Sequence, residues 1–209
     1  MVSGSDDSTI KIWDAATGRE MQTLKGHRGW VTSVAFSADS KLVVSGSDNS
    51  TIKIWDAATG RETQTLKGYR SWVTSVAFSA DSKLMVSGSG DSTIKIWDVA
   101  TGQEMQTLAI GTILHNISFD ITGAHLNTDI GVVVLDTLLA LNTVPSAPAQ
   151  GYGLSSNGIW TTWDLENLLW LPTEYRPQRS AVSASTVAIG CTSGQVLIFK
   201  FLADETPII

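Results

Sequence analysis

The sequence has little of what most catalytic, metal-binding or nucleic-acid chemistry needs. Among 209 residues there is one cysteine, Cys191, which excludes an internal disulfide and fits a reducing compartment. His115 and His125 have no cysteine or histidine at ligand spacing, so no metal site is expected. Basic residues are scarce: 14 Lys and Arg stand against 20 Asp and Glu, for a net charge of −6. No basic surface is ready to neutralise phosphates, so nucleic acid is not an expected partner. The most apolar window, 130–144, is too short to span a bilayer and contains Asp136, so no membrane contact is expected. The first residues lack the charged and apolar regions of a signal peptide, which leaves a cytoplasmic location as the expectation.

Motifs are missing too. There is no Gly-x-x-x-x-Gly-Lys phosphate loop, no Gly-x-Ser-x-Gly elbow and no defensible Ser/His/Asp order. Gly88-Ser-Gly90 lacks the third glycine and following helix of a dinucleotide site. No stretch has a convincing 3.6-residue period, so helix should be nearly absent. Neither enzymatic activity nor a cofactor is expected.

What is present is repetition. Ser-Gly-Ser followed by Thr-Ile-Lys-Ile-Trp-Asp occurs three times, placing Trp13, Trp55 and Trp97 42 residues apart. That is the period of a four-stranded propeller blade. Thr-Ile-Lys-Ile-Trp alternates, so Ile10 and Ile12 share one face, and Thr9, Lys11 and Trp13 the other. Residues 25–66 and 67–108 are two complete units that differ at eight positions. In each, Val-Thr-Ser-Val-Ala-Phe reads as the innermost strand, Leu-Val/Met-Val-Ser-Gly-Ser as the second, Thr-Ile-Lys-Ile-Trp as the third and Glu-Thr/Met-Gln-Thr-Leu as the outer one. Such a leaflet cannot hide its apolar face alone and must stack on its neighbours. Gly18 suits a turn that needs φ > 0.

Beyond Leu108 the repeat decays but its rhythm persists. Ile113–Phe119, Ala124–Asn127 and Val132–Asp136 read as inner, second and third strands, with Leu135-Asp136 where Trp-Asp stood. Residues 137–150 fit an irregular outer strand or a loop. Tyr152–Ser155, Ile159–Asp164 and Leu168–Leu171 form a further trio, then a break comes at Pro172 and Pro177. Ser180–Ala184, Thr186–Cys191 and Gln195–Phe201 form the last.

With Gly26-His27, the Ser-Gly-Ser strands and three Trp-Asp endings, the chain resembles a WD-repeat β-propeller. Near-identical repeats followed by the run from Tyr152 to Pro177 and Val187-Ala-Ile-Gly-Cys…Val-Leu-Ile-Phe199 resemble the C-terminal propeller of fungal NACHT/WD-repeat, HET-E-like vegetative-incompatibility proteins. The resemblance implies an all-β propeller, residues 1–209 forming one region of regular repeats (1–108) and degenerate blades (109–209). Third-type strands end near residues 13, 55, 97, 135, 171 and 200, giving five to six blade-equivalents. The first lacks its inner strand and the last its outer one, so an incomplete or open propeller, the C-terminal piece of a longer array, is expected. An upstream nucleotide-binding domain is implied by the resemblance alone.

In WD repeats a buried set of His, Ser, Asp and Trp ties each blade together. By resemblance these positions are His27, Ser45, Asn49 and Trp55 in the second unit, and Ser87, Asp91 and Trp97, with Tyr69 for histidine, in the third. The first unit offers Ser3, Asp7 and Trp13. Each incomplete set is expected to cost its blade about 1–3 kcal/mol relative to a full one.

Trp30 and Trp72 precede innermost strands, at the rim of the central channel, where large aromatics anchor interfaces. The alternative is that they pack on a neighbouring blade's loop. The resemblance adds Thr32, Thr74, Asp6, Asp48 and Gly90 as rim contacts. A non-catalytic module that recognises a protein or peptide, the ligand-sensing end of a fungal receptor, is the leading reading. A free-standing scaffold or adaptor is the alternative, and a propeller hydrolase or sugar-binding protein a third.

Overall fold

The computed structural model describes residues 1–135, 149–155, 158–164, 166–183, 185–191 and 193–201. The three Trp-Asp stretches become the third strands of three antiparallel sheets. The first sheet is β1 (Val2–Gly4), β2 (Thr9–Trp13) and β3 (Glu20–Lys25). The second is β4 (Val31–Phe36), β5 (Leu42–Ser47), β6 (Thr51–Asp56) and β7 (Glu62–Lys67), in that order from the inside. The third repeats it as β8 (Val73–Phe78), β9 (Leu84–Ser89), β10 (Thr93–Asp98) and β11 (Glu104–Ala109).

The repeat is reproduced down to its irregularities. The register shifts between Ile12 and Trp13, Ile54 and Trp55, and Ile96 and Trp97 against each outer strand. One extra residue there adds twist, as a propeller blade requires. Gly18, Gly60 and Gly102 take φ of +68°, +70° and +70° at one turn position, where a side chain would be strained.

The core lies between sheets. Val44, Ile52, Ile54 and Leu66 of the second pack on Val73, Val76, Met85 and Trp97 of the third. Ile10, Ile12 and Leu24 of the first meet Val31, Val43 and Trp55 of the second. Each fully buried Val, Leu or Ile contributes roughly 1.5–3 kcal/mol by leaving water.

The degenerate half continues the arrangement with three more sheets: β12 (Ile117–Phe119), β13 (His125–Thr128), β14 (Gly131–Val134) and β15 (Ala149–Gln150); β16 (Tyr152–Leu154), β17 (Trp160–Trp163) and β18 (Glu166–Trp170); and β19 (Pro177–Ser183), β20 (Thr186–Cys191) and β21 (Val196–Lys200). A single 3-10 turn, Thr173–Tyr175, is the helical structure among the described residues. The result is an all-β, incomplete propeller of six sheets among the described residues.

Three details depart from the sequence reading. The strand expected from Ile113 begins at Ile117, because the Asp129 carboxylate takes the His115 and Asn116 amides out of any ladder. The last inner strand begins at Pro177 instead of Ser180, since a strand's first residue tolerates proline. Asp136 and residues 137–148 lie outside the described residues. The third departure concerns β16–β18. Inner strands start, and second strands finish, on one face of the propeller: Gly4 abuts Val31, Gly46 abuts Val73 and Gly88 abuts Ile117. Strand β16 finishes on that face, since the Leu154 N–H donates to Asp129 O at 3.0 Å and Gly158 lies against Pro177. It therefore runs as a second strand, which makes β17 the third and β18 the outer one. Trp163-Asp164, and not residues near 171, stands at the Trp-Asp position.

Both ends of the array leave a flank open. Lys11 on the first sheet has 36% of its side chain exposed, against 11% and 10% for the equivalent Lys53 and Lys95. Trp13 is half-buried where Trp55 and Trp97 are buried. On β21 Val196 and Ile198 are 67% and 63% exposed.

Candidate functional site

The inner strands converge on a mouth whose chemistry comes from the residues just before and within them. Trp30 closes the loop between β3 and β4, and its carbonyl accepts the Asp48 N–H at 3.0 Å. Trp72 repeats this with Gly90 at 2.9 Å. Strand alternation buries Val31 and Val73 and turns the indoles away from the core; Trp30 is 57% and Trp72 46% exposed. A cavity of about 580 Å³ at this mouth is lined by Asp6, Trp30, Thr32, Trp72, Thr74, His115, Asn116 and Arg179, among others.

Five of the seven rim residues expected from sequence thus share one cavity: Asp6, Trp30, Thr32, Trp72 and Thr74. Asp48 and Gly90 sit on the turns behind it. Gly90 has a clear task, since a Cβ there would come within 2.6 Å of the Trp72 Cε2. The Trp72 ring therefore lies against the turn of its own blade. In the second blade the small residue has changed places. Gly29 abuts the Asp48 carboxylate, while Ser71 stands beside Gly90.

Thr32 and Thr74 part company. The Thr32 hydroxyl donates to Val73 O at 2.6 Å, joining the second blade to the third. The Thr74 hydroxyl is buried without a partner. A buried hydroxyl left unpaired costs free energy that a ligand atom could recover. Sequence reasoning missed His115, Asn116 and Arg179. Asn116 was legible, since it precedes an inner strand as Trp30 and Trp72 do. Arg179 was not, because nothing in 177–183 echoes the repeat.

Behind the rim, each blade carries a polar chain between its strands. In the second, the Trp55 Nε1–H donates to Ser45 Oγ at 2.8 Å, and Ser45 Oγ lies 2.7 Å from His27 Nε2. His27 Nδ1 is 3.4 Å from Thr51 Oγ1, which donates to Asn49 Oδ1 at 2.6 Å. One proton order satisfies the whole chain: Trp55 to Ser45 to His27, then His27 to Thr51 to Asn49. It requires a neutral imidazole. Burial, and secondarily the Lys53 charge, depress the His27 pKa to about 4, so the ring is neutral at pH 7.

The third blade substitutes without a break. Tyr69 Oη donates to Ser87 O at 2.6 Å and lies 2.7 Å from Ser87 Oγ. Trp97 Nε1–H donates to the same Oγ at 2.8 Å. Burial pushes the phenol well above its ordinary range. Asp91 takes the Arg70 N–H at 3.1 Å instead of an imidazole. In the first blade Trp13 Nε1–H donates to Ser3 Oγ at 2.8 Å, but Ser3 is exposed and Trp13 only half-buried.

Asp7, Asn49 and Asp91 share one task that explains why the amide serves at 49. Each Oδ1 accepts the N–H and the O–H of the threonine two residues on, at 2.9 and 2.6 Å for Asp7 and at 3.1 and 2.6 Å for Asn49 and Asp91. An Asx turn needs an oxygen, not a charge. None of these sets leaves a member's buried polar atom unpaired, so the expected penalty for incomplete sets has no orphaned atom to carry it.

No group of three or more His, Cys, Asp and Glu is placed to hold a metal among the described residues. No helix there is long and apolar enough to cross a membrane.

Comparison with known proteins matches the regular repeats. The family described as "WD domain, G-beta repeat" matches residues 1–14, 18–56 and 60–98. Vegetative incompatibility protein HET-E-1 of Podospora anserina is 48% identical over 99 residues, which cover 46% of this chain and 7% of that protein. Ribosome assembly protein 4 of Saccharomyces cerevisiae is 46% identical over 43 residues, 21% of this chain and 8% of that protein. Dynein assembly factor with WD repeat domains 1 of Danio rerio is 53% identical over 36 residues, 17% of this chain and 9% of that protein. The aligned part of the chain therefore spans less than a tenth of each relative.

Proposed function

Since residues 1–98 are WD repeats similar to those of HET-E-1, we propose that the chain is a non-catalytic recognition module that binds a protein or peptide at the channel mouth. WD repeats indicate a protein-interaction module, and the observation that selects the place is the cavity between Trp30 and Trp72. Two large indoles, about half exposed on adjacent blades, flank a buried unpartnered hydroxyl at Thr74. Tryptophan is enriched among the residues that dominate binding energy. Asp6 and Arg179 add one charge of each sign to the lining, which suits a polar main chain better than an apolar small molecule.

The finer reading is that the module is the cytoplasmic, ligand-sensing part of a fungal vegetative-incompatibility receptor with its nucleotide-binding domain outside this chain. The 99-residue likeness to HET-E-1 supports it. A scaffold for complex assembly is the second reading, favoured by the likeness to ribosome assembly protein 4.

Two-hybrid or proximity capture with the wild-type chain identifies the partner. Trp30→Ala with Trp72→Ala should then weaken its binding by about 100-fold or more, the scale of two lost anchors, with little change in melting temperature. Unchanged binding would remove the channel mouth as the site. A large fall in stability would make the indoles structural.

A further inference from the structure

A chain with net charge −6 nevertheless gathers cations at one place outside the tryptophan rim. A second cavity, of about 570 Å³, lies on the second blade and is lined by Arg28, Asn49, Thr51, Lys53 and Lys67, with Gly26 and Thr65. Lys53 is buried, its Nζ donating to Glu62 Oε2 at 2.6 Å and to Thr65 Oγ1 at 2.8 Å. Arg28 and Lys67 are exposed and enter no ion pair among the described residues. Asn49 gives its oxygen to Thr51, which leaves its NH2 to donate.

The neighbouring repeats act as an internal comparison. At the positions of Arg28, Asn49 and Lys67 the third blade has Arg70, Asp91 and Ala109, and the first has Asp7 and Lys25 at the latter two. Both have a carboxylate where the second blade has an amide. Since Asp and Asn close this turn equally well, the turn does not explain the difference. It removes a negative charge from a groove that holds Arg28 and Lys67 beside the Lys53–Glu62 pair.

We propose that this groove binds a phosphate monoester. Such a group carries about −1.5 to −2 charges and three strong acceptor oxygens. The guanidinium fork of Arg28, the ammonium of Lys67 and the amide of Asn49 offer matching donors, and Arg and Lys are the residues that hold phosphoryl groups. A carboxylate brings one charge and two oxygens, and uses this set less fully. The groove is separate from the channel mouth, so the proposal does not depend on the function assigned there.

The test is an amide chemical-shift titration of the 15N-labelled chain at about 0.15 M salt, where unspecific surface attraction is screened. The probes are O-phosphoserine and a glycine-flanked phosphoserine peptide, with serine, the unphosphorylated peptide and acetate as controls. Saturable shifts confined to Gly26–Arg28, Asn49–Thr51 and Lys67 are expected from the phosphorylated probes alone. Asn49→Asp with Lys67→Ala, which gives the second blade the third blade's residues, should weaken binding by at least about tenfold, the scale of a lost charge-assisted bond. Tighter binding of the peptide identifies a phosphorylated protein as the source of the group, and equal binding a free phosphomonoester. Absence of saturation up to about 10 mM, or shifts that survive the double substitution, would overturn the proposal.

Discussion

Replacing Gly46 by alanine should lower stability by about 2–3 kcal/mol, although the position is neither in a turn nor at positive φ. The reason is the distance between blades. A Cβ at 46 would overlap Val73 Cγ1, lie 3.0 Å from Val73 Cβ and 3.2 Å from Val76 Cγ1. Val73 is fully buried, and a close-packed interior leaves it little room to move aside. Overpacking of this kind costs about 1–3 kcal/mol, and for a chain of this size that lowers Tm by about 5–10 °C. Val73→Ala makes room, so the double variant should be more stable than the sum of the two changes by about 1 kcal/mol or more. Gly18→Ala is the contrast. Nothing lies within 4 Å of its Cβ, so its cost is that of φ +68° alone, about 1 kcal/mol. If Gly46→Ala costs no more than Gly18→Ala, the blades are not in the close contact described.

The second large effect is a graded one, from Ser→Ala at the three equivalent serines. Ser45 Oγ serves both Trp55 and His27, and its removal strands two buried groups. Each stranded group costs about 1–3 kcal/mol, so Ser45→Ala should lose about 2–4 kcal/mol. Ser87→Ala strands the Trp97 N–H but not Tyr69, whose hydroxyl keeps the backbone carbonyl at 2.6 Å. The loss there should be about 1–3 kcal/mol. Ser3 is exposed and Trp13 half-buried, so water replaces the lost partner and Ser3→Ala should cost under about 0.5 kcal/mol. Chemical denaturation of the three variants gives the order directly. Equal losses at 3 and 45 would mean that the first blade is as well covered as the second.

The regular half of the fold could be read from spacing because it is written three times. Three copies of Thr-Ile-Lys-Ile-Trp-Asp fix the strands, the turns and the faces, and the structure places those strands within a residue of the expected bounds. The degenerate half was legible as strands but not as roles. Tyr152-Gly-Leu and the Trp-Thr-Thr-Trp after it carry strand-forming residues, but neither alternates cleanly enough to assign a face. The bond from Leu154 to Asp129 and the approach of Gly158 to Pro177 reveal that β16 runs toward the rim.

The candidate site shows the same division. Trp30 and Trp72 stood out as large aromatics beside inner strands. The task of Gly90, which leaves room for the Trp72 ring, needed the third dimension. So did the change of partners at Asp91. Aspartate in a repeat suggests an imidazole, but the turn uses its oxygen for Thr93 whichever residue stands at 69. Arg179 reaches the mouth from a strand with no repeat signature, and no local pattern announces it.

The central claim is that six leaflets stack around an axis with the flank of the first left open. Hydrogen exchange at the indole Nε1–H groups, followed by 15N-tryptophan NMR, tests it in one spectrum. Trp13, Trp55 and Trp97 each donate to a serine at 2.8 Å, so bond length alone would protect them alike. Burial separates them, and the account predicts slow exchange at Trp55 and Trp97, fast exchange at Trp13, and the fastest at Trp30 and Trp72. Protection of Trp13 equal to that of Trp55 would contradict it, because something would then cover the face that this structure leaves bare.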